Sequence, residues 1–273
     1  MKLVTFEAGS ERGVGILTPD GILPSEHSDM IAVIRAGGLE PLAGREPISD
    51  YRLKAPVARP GKIFGSGINY ASHKEENPDA VMPTEPGFFS KFPSSVIGPE
   101  DPIRIPTAES HVDYEVELAV VIGVAGRDIA EEDAYDHIFG YTVVNDVSGR
   151  DIQFRPNQMP LGKGCDTFCP MGPAILTADE VPRPEELEVR SVVNGEVRQR
   201  SLVKEMLFGI PALVAHASRH ITLEPGDVIA TGTPAGCGTF RTPPLWLAPG
   251  DDVIVAVDRI GELRNPVIAG WIN

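Results

Sequence analysis

Short runs of β-branched and other apolar residues recur along most of the chain, separated by Gly, Pro and Asp. From residue 62 onward they occupy positions 63–64, 115–122, 141–144, 188–193, 227–231 and 252–257. Such runs between turn residues are typical of strands. Only two segments in this region, 130–138 and 211–220, have the composition of helices, and the second has proline in its first turn. The pattern predicts an α+β protein with a mainly β core.

The first sixty residues differ from the rest in their pattern of predicted elements, which are short and separated by turns. Short strands are predicted at 2–7 and 14–17, and a short helix at 30–35. The segment 55–61 then brings two prolines and a glycine, the usual punctuation between structural units. We therefore predict a small N-terminal α/β domain over residues 1–60 and a larger domain over residues 61–273.

Composition narrows the classes of partner. The chain has 273 residues, of which 42% are hydrophobic, and this length is enough for one large core with a small appended domain. With 24 Lys+Arg against 39 Asp+Glu, the net charge is -15, and no basic run interrupts this excess. Such a charge repels phosphate backbones and anionic lipid. We therefore expect neither nucleic acid nor a membrane as a partner.

Targeting signals and cysteine usage indicate a cytoplasmic protein. The N-terminus reaches Glu7 before an apolar stretch of signal-peptide length can build up. The longest nearly apolar run, 118–126, is less than half of the roughly 20 residues that span a bilayer. The three cysteines lack CxxC spacing, so neither a disulfide framework nor a zinc knuckle is predicted; plain packing is the expectation, with a redox role as the alternative.

Two carboxylates lead into the apolar strand predicted at 115–122. The two-residue period of a strand puts Glu115 and Glu117 on one face, about 7 Å apart. Two anions entering a buried strand repel each other and resist desolvation unless a cation or a shared proton relieves them. A solvated strand face is the alternative for this segment alone.

A third acid strengthens the prediction of a cation site. Asp146 follows the apolar strand predicted at 141–144 and opens a polar loop. An all-oxygen triad of Glu115, Glu117 and Asp146 favours a hard ion such as Mg²⁺, with Mn²⁺ or Ca²⁺ as further candidates, over zinc. Its open coordination positions would receive a small-molecule substrate.

His73 and Glu76 form the candidate acid–base pair. At i and i+3 of a short predicted helix they share a face, so the carboxylate can orient the imidazole, or the pair can polarise a water as general base. A solvated helix with an incidental histidine is the alternative. The segment that follows, 78–87, offers little to bury and several rigid turns, which is typical of a mobile lid and equally of a surface loop.

Candidate substrate-binding residues lie farther along the chain. Arg150 and Lys163 bracket a loop that also holds Gln153, and either cation can pair with a substrate carboxylate. Ordinary ion pairs with Asp151 or Asp166 fit the spacing equally well. The glycine-bearing loop 231–236 lacks the GxxxxGK[ST] pattern and a surrounding βαβ unit, so nucleotide binding is not expected.

Read together, five segments in order resemble the fumarylacetoacetate hydrolase family, and the resemblance covers residues 62 to about 267. The motifs are Asn69-Tyr70-x-x-His73-x-x-Glu76, Asp113-Tyr114-Glu115-Val116-Glu117-Leu118, Asn145-Asp146-Val147-Ser148-Gly149-Arg150-Asp151-Ile152-Gln153, Gly162-Lys163-Gly164-Cys165-Asp166-Thr167-Phe168 and Gly226-Asp227-x-Ile229-x-Thr231-Gly232-Thr233-Pro234. Ser72 and Gly164-Cys165 depart from the family's frequent residues near the pocket, which puts substrate choice in doubt more than chemistry.

The resemblance implies a distorted β-roll core, a homodimer and a site with three sets of residues. The implied metal ligands, for Mg²⁺ or Mn²⁺, are Glu115, Glu117 and Asp146. The implied catalytic residues are His73, Glu76 and Lys163. The implied substrate contacts are Arg150, Gln153 and Thr233.

The resemblance also implies an enzyme that acts on a 2-oxo acid. The first expectation is a metal-dependent hydrolase of a C–C bond in an acylpyruvate or fumarylpyruvate, in aromatic or sugar-acid breakdown. The ion would act as a Lewis acid toward the enolate, and a water activated by His73 and Glu76 would attack the distal carbonyl. One alternative is a decarboxylase or isomerase of oxaloacetate or a longer 2-oxo-dioate. A binding protein with a structural Ca²⁺ site is the non-enzymatic alternative.

Overall fold

Strands dominate the computed structural model, which describes residues 1–76 and 80–270. This confirms the predicted α+β, mainly β class. In chain order the strands are β1 Lys2–Ala8, β2 Glu11–Thr18, β3 Gly21–Pro24, β4 Arg52–Lys54, β5 Ile63–Ser66, β6 Phe88–Lys91, β7 Val96–Ile97, β8 Ile103–Ile105, β9 Val112–Asp113, β10 Val116–Ile122, β11 Ile138–Asn145, β12 Ser148–Gly149, β13 Cys169–Thr177, β14 Glu188–Val193, β15 Glu196–Leu202, β16 Val228–Ala230, β17 Asp252–Val257 and β18 Gly261–Ala269.

Helices are short in the described part of the chain. The α-helices are α1 Met30–Ala36, α2 His73–Glu76, α3 Arg150–Gln153, α4 Met159–Lys163 and α5 Ile210–His220. The 3₁₀ turns are Pro93–Ser95, Glu131–His137, Ala178–Glu180, Pro184–Glu186, Val203–Glu205 and Gly238–Phe240. The helix predicted at 130–138 is therefore a 3₁₀ run, and part of the loop predicted after Asp146 is helix α3. None of the helices in these residues is long and apolar enough to cross a membrane.

The large sheet has the strand order β3-β2-β1-β13-β11-β10-β16-β5-β6, with β4 paired to β1 and β7 paired to β13. A second sheet has the order β15-β14-β17-β18-β8, and β12 pairs with β9. The N-terminal strand β1 thus joins the same sheet as the centre of the fold, through pairing with β13. The domain boundary at residue 60 stays a prediction.

Strand β10 is buried on both faces, which its sequence explains. Its even positions, such as Leu118 and Val120, pack in a core shared with β14, β17 and α5. Its odd positions, Ala119 and Val121, pack in a second core with α1 and β1. Because side chains alternate along a strand, Glu117 continues the odd face at the N-terminal end of β10. The carboxylate therefore stands where the second core gives way to polar groups.

Strand directions bring four chain segments to one place. Strand β10 runs antiparallel to β11 and β16, and β16 runs parallel to β5. The N-terminal end of β10 therefore lies beside the C-terminal ends of β11, β16 and β5. The residues just outside these ends are Glu115, Asp146, Thr233 and the segment 67–73.

We predict that Leu118→Ala lowers the free energy of unfolding by about 2–5 kcal/mol, because it removes a fully buried side chain from the core beneath the site. Urea unfolding measures this change. The matched control is Leu161→Ala, where half of the side chain is exposed and a change of about 0.5 kcal/mol or less is expected. Equal losses in the two variants would contradict the assignment of Leu118 to the core.

Candidate active site

The three predicted metal ligands converge. One carboxylate oxygen each of Glu115, Glu117 and Asp146 lies within 4.8 Å of the other two. The backbone N–H of Asp146 donates to the carbonyl of Glu115 at 2.8 Å, which continues the pairing of β10 with β11 and sets the acids side by side. The residues are only 7%, 1% and 0% exposed, so the solvated strand face is wrong for them.

Three buried cations surround this triad. Lys163 Nζ donates to Glu115 Oε2 and to Asp146 Oδ2, both at 2.6 Å. Arg150 Nη2 donates to Glu115 Oε1 at 2.6 Å and to Asp113 Oδ2 at 2.8 Å. Lys91 Nζ donates to Asp146 Oδ1 and to the carbonyl of Lys163. Arg150 and Lys163 thus pair with acids of the site, and the alternative partners Asp151 and Asp166 are not the ones observed.

The balance of charge in this cluster favours the binding of a further cation. Four buried carboxylates, those of Asp113, Glu115, Glu117 and Asp146, face three buried cations, those of Lys91, Arg150 and Lys163. When all seven groups are ionised, the cluster has an excess of one negative charge. Burial penalises any uncompensated ion strongly. A hard divalent ion with oxygen ligands relieves this excess, so the donor set fits Mg²⁺ or Mn²⁺.

The pKa shifts of Glu117 and Glu115 show which of the two carboxylates is less well compensated by its neighbours. Burial raises the pKa of Glu117, and the charges of Asp146 and Glu115 raise it further, so it lies well above its usual range. Burial also raises the pKa of Glu115, but Lys163 and Arg150 outweigh that effect and hold it below its usual range. Of the two glutamates, Glu117 is therefore the one that gains more from a bound cation.

Lys163 is held as an ammonium ion. Burial lowers its pKa, but the carboxylates of Asp146 and Glu115 outweigh burial, and the net direction is upward. Its Nζ also lies 4.8 Å from the centroid of the Phe89 ring, at a distance typical of a cation–π contact. The charged end is thus fixed between two acids and an aromatic wall.

A glycine after β16 holds Glu117 from the other side. The N–H of Gly232 donates to Glu117 Oε2 at 2.7 Å. Gly232 has φ +99°, and a Cβ built there would lie 2.7 Å from the Cβ of Asn69. Both the backbone conformation and the close approach therefore require glycine here.

Thr233 follows with its hydroxyl oriented by a neighbour. Its Oγ1 accepts a hydrogen bond from Gln199 Nε2 at 2.7 Å. Gln199 Nε2 donates also to the carbonyl of Pro234 at 2.8 Å, so the amide faces the loop in a defined direction. Since the Thr233 oxygen already accepts, its own hydrogen is available to donate to a ligand.

The predicted pair of a buried His73 and a partly buried Glu76 packs against the same loop. His73 is 8% exposed, and its Nδ1 lies 2.8 Å from Glu76 Oε1. The N–H of Gly236 donates to Glu76 Oε2 at 2.7 Å, and that of Ala235 donates to Ser72 Oγ at 3.1 Å. An incidental histidine on a solvated helix is therefore excluded. Of the predicted lid, residues 78 and 79 lie outside the described residues.

A cleft of about 310 Å³ connects these groups. Seven of the predicted site residues line it, and they are His73, Glu115, Glu117, Arg150, Gln153, Lys163 and Thr233. Glu76 and Asp146 stand behind this lining. The apolar part of the lining consists of Ile68, Ala80, Phe89, Phe154, Met159 and Phe240. The ring of Phe240 meets that of His73 edge to face, with centroids 6.0 Å apart.

Sequence reasoning missed the supporting polar residues of the site. Lys91, Asp113 and Gln199 are almost fully buried and bond directly to site residues. Asp113 stands in the motif of the triad, which is a signal for it. Lys91 and Gln199 lie in alternating strands, where a polar residue normally marks a solvent-facing position, so the sequence carries no sign of their burial. The catalytic and ligand roles assigned to the site residues stay predictions.

Comparisons with known proteins agree with this architecture. The family model described as Fumarylacetoacetate (FAA) hydrolase C-terminal matches residues 62–268. A mitochondrial oxaloacetate tautomerase of Xenopus laevis is 50% identical over 222 residues, which are 81% of this chain and 69% of the relative. An oxaloacetate tautomerase of Bacillus subtilis is 45% identical over 223 residues, which are 81% of this chain and 74% of the relative.

Solved structures match over nearly the full length. A fumarylacetoacetate hydrolase from Exiguobacterium antarcticum superposes with a TM-score of 0.89 at 39% identity, covering 98% of this chain and 99% of the other. A maleylpyruvate hydrolase from Sphingobium, solved with manganese(II) and pyruvate, has a TM-score of 0.81 at 32% identity, covering 99% and 100%. The motifs, the fold and these matches together show that the chain belongs to the fumarylacetoacetate hydrolase family and is an enzyme of that family.

Proposed function

We propose that this enzyme acts on oxaloacetate and interconverts its keto and enol forms. The observation that carries the proposal is the placement of the His73–Glu76 pair in one cleft with Lys163 and the carboxylate triad. Enol chemistry needs a base at the carbon and a positive charge at the oxygen, and this cleft supplies both. The relatives named as oxaloacetate tautomerases favour this isomerase reaction over the hydrolysis first expected from the sequence.

We also propose that Glu115, Glu117 and Asp146 hold Mg²⁺ or Mn²⁺ during the reaction. When bound, such an ion supplies Lewis-acid stabilisation of the negative charge on the substrate's enol oxygen. The solved relative with manganese(II) and pyruvate supports a divalent ion in this family.

Residues around the triad orient the substrate in this proposal. Arg150 Nη1 donates to Gln153 Oε1 at 2.8 Å, and Gln153 Nε2 donates one hydrogen to Met159 Sδ at 3.5 Å. The second amide hydrogen remains to orient a substrate carboxylate near the guanidinium. The hydroxyl of Thr233 offers a further donor. These groups set the position of C3 with respect to His73.

His73 then moves the proton. Its ring takes a proton from C3 of the keto form, while Glu76, 2.8 Å away, stabilises the imidazolium. The imidazolium then gives this proton to the C2 oxygen, which completes the enol, and the reverse reaction returns it to C3. Lys163, kept protonated by Asp146 and Glu115, stabilises the charge that develops on the C2 oxygen. Phe240, whose ring meets that of His73, and Phe89 add apolar lining to the cleft, which limits the access of water to the reacting groups.

We predict that His73→Asn lowers kcat for oxaloacetate tautomerisation by about 10²–10⁴-fold, because the amide cannot take up the proton. The measurement is the decay of enol absorbance with Mg²⁺ present, together with the ion-induced rise in Tm, which this variant should keep. His220→Asn, on the exposed end of α5, is the control and should retain full activity. Full activity in the His73 variant would contradict the proposal that His73 is the base.

We predict that Glu117→Gln abolishes the rise in Tm that Mg²⁺ or Mn²⁺ produces in the wild type. At an ion concentration of 100 Kd that rise corresponds to about 2.7 kcal/mol. In chelator, the variant should unfold at the same temperature as the wild type or higher, because the substitution removes repulsion from Asp146 and Glu115. Differential scanning calorimetry measures both effects.

The control for this experiment is Glu109→Gln. Glu109 is also a buried carboxylate, with its pKa raised by burial and by Asp151, but it lies outside the triad. The Glu109→Gln variant should therefore show the same ion-induced rise in Tm as the wild type. A wild type without any shift, or an undiminished shift in the Glu117 variant, would contradict the metal assignment.

A second candidate function is hydrolysis of an acylpyruvate, favoured by the shape of the cleft. Six apolar side chains line the cleft, and a four-carbon diacid is smaller than its space of about 310 Å³. The solved maleylpyruvate hydrolase supports this candidate. Here His73 and Glu76 would activate a water instead of removing a C3 proton.

We predict that the two candidates separate in one substrate screen. The enzyme with Mg²⁺ should equilibrate the tautomers of oxaloacetate faster than it releases CO₂ from it or pyruvate from an acylpyruvate. Enol absorbance, CO₂ release and acid release report the three reactions. Rapid acid release with slow tautomerisation would reverse the order of the two candidates.

A further inference from the structure

A second cluster of potential metal ligands lies behind the cleft. Donor atoms of His73, Glu76 and Cys237 all lie within 4.8 Å of one another. Cys237 is fully buried, and His73 lines the cleft. The cluster differs from the triad in chemistry, because it offers one sulfur, one nitrogen and one oxygen where the triad offers three oxygens.

One atom of this cluster lacks the partner that its burial demands. Glu76 Oε1 is buried and has no hydrogen-bond partner among the described residues; it lies 2.8 Å from His73 Nδ1, and this contact is an ion pair only when the imidazole is protonated. The other oxygen, Oε2, accepts from the N–H of Gly236 at 2.7 Å. Buried polar atoms are normally satisfied, and a free carboxylate oxygen beside an imidazole is a ready cation ligand.

Neighbouring residues hold the third ligand in place. Gln199 Nε2 lies 3.6 Å from Cys237 Sγ and is itself fixed by Thr233 and Pro234. Glu115 Oε1 lies 3.9 Å from the same sulfur. The thiol therefore stands at a fixed point in a region of negative charge, which favours a cation.

We propose that Zn²⁺, or another borderline-soft ion, binds His73, Glu76 and Cys237 at a site separate from the triad and inhibits the enzyme. Sulfur and imidazole ligands select zinc, whereas an all-oxygen site selects Mg²⁺. Three bonds form, from zinc to sulfur, nitrogen and oxygen. The S–H bond breaks and its proton leaves to solvent, and no atom is oxidised or reduced.

Inhibition follows from the chemistry of imidazole. A neutral imidazole has one nitrogen lone pair that can accept a proton. Once that lone pair binds zinc, His73 can no longer remove a proton from a substrate or a water. Inhibition should therefore persist at saturating Mg²⁺, since the two ions occupy different sites.

The test is a zinc titration of the Mg²⁺-loaded enzyme with oxaloacetate as substrate. About one equivalent of zinc should remove most of the activity of the wild type. Cys237→Ser should keep its Mg²⁺-supported activity and require on the order of 100-fold more zinc for the same inhibition, because one of three ligands is lost. Cys237→Ala repeats the test without a hydroxyl oxygen. The matched control, Cys165→Ser, lies outside the cluster and should be inhibited like the wild type.

A binding measurement tests the site independently of the proposed substrate. With Mg²⁺ in excess, equilibrium dialysis should find one more zinc per chain in the wild type and in Cys165→Ser than in either Cys237 variant. Cobalt(II) in place of zinc should give a thiolate-to-metal charge-transfer band that both Cys237 variants lack. If zinc binds in this way but oxaloacetate is not turned over, the proposed function fails and the zinc site stands.

Two results would overturn the proposal. The first is a wild type that binds no zinc while Mg²⁺ occupies the triad. The second is equal zinc binding, or equal inhibition, in the wild type and in both Cys237 variants.

Discussion

Burial of several like charges at one point is the constraint on which the rest of the site depends. Glu115, Glu117 and Asp146 lie almost wholly out of water and within a few ångströms of one another. Such a group is stable only where opposite charges are fixed close by. Lys91, Arg150 and Lys163 provide those charges. Lys91 and Arg150 also donate to groups outside the triad, and Lys163 bridges two of its acids. The result is a hydrogen-bonded cluster in which the carboxylates, Asp113 included, outnumber the cations, so that a further positive charge would stabilise it.

The same constraint explains how the backbone is built around the cluster. The ends of β5, β10, β11 and β16 meet there, and main-chain N–H groups face the acids at close range. Gly232 brings one N–H to Glu117, in a conformation and at a distance that exclude a side chain. Gly236 does the same for Glu76, and a Cβ at that position would collide with the carbonyl of Arg198. Glycine in the loop after β16 therefore ties the triad and the acid–base pair to a single piece of backbone.

Under the two proposals above, the close packing of the two donor sets would link activity to the choice of metal. A base strong enough to move a substrate proton is also a good ligand for a soft cation, and here a thiol stands beside it. Glu115 touches both sets, through the triad and through its approach to Cys237. The two sets remain distinct because their donor atoms differ, hard oxygens in one and a mixture with sulfur and nitrogen in the other.

The sequence by itself determined the class of fold and most of the polar side chains that line the cleft. Alternating and continuous apolar runs identified β10, β11, β14 and β17, because the period of a strand is a local property. The acids at the strand ends, with His73, Arg150 and Lys163, were identified from local motifs and family resemblance. The 3₁₀ run at Glu131–His137 was predicted only as a helix, since the two helix types share their composition.

Only the tertiary structure decided which of these residues contact one another and which groups neutralise their charges. The pairing of Lys163 with Glu115 and Asp146, instead of the neighbouring Asp166, depends on how β10, β11 and α4 pack. The burial of Lys91 and Gln199, and the approach of Cys237 to His73 and Glu76, join residues far apart in the chain. Local sequence records side-chain chemistry and period. Distances between distant segments arise from the register and direction of paired strands, which no single segment contains.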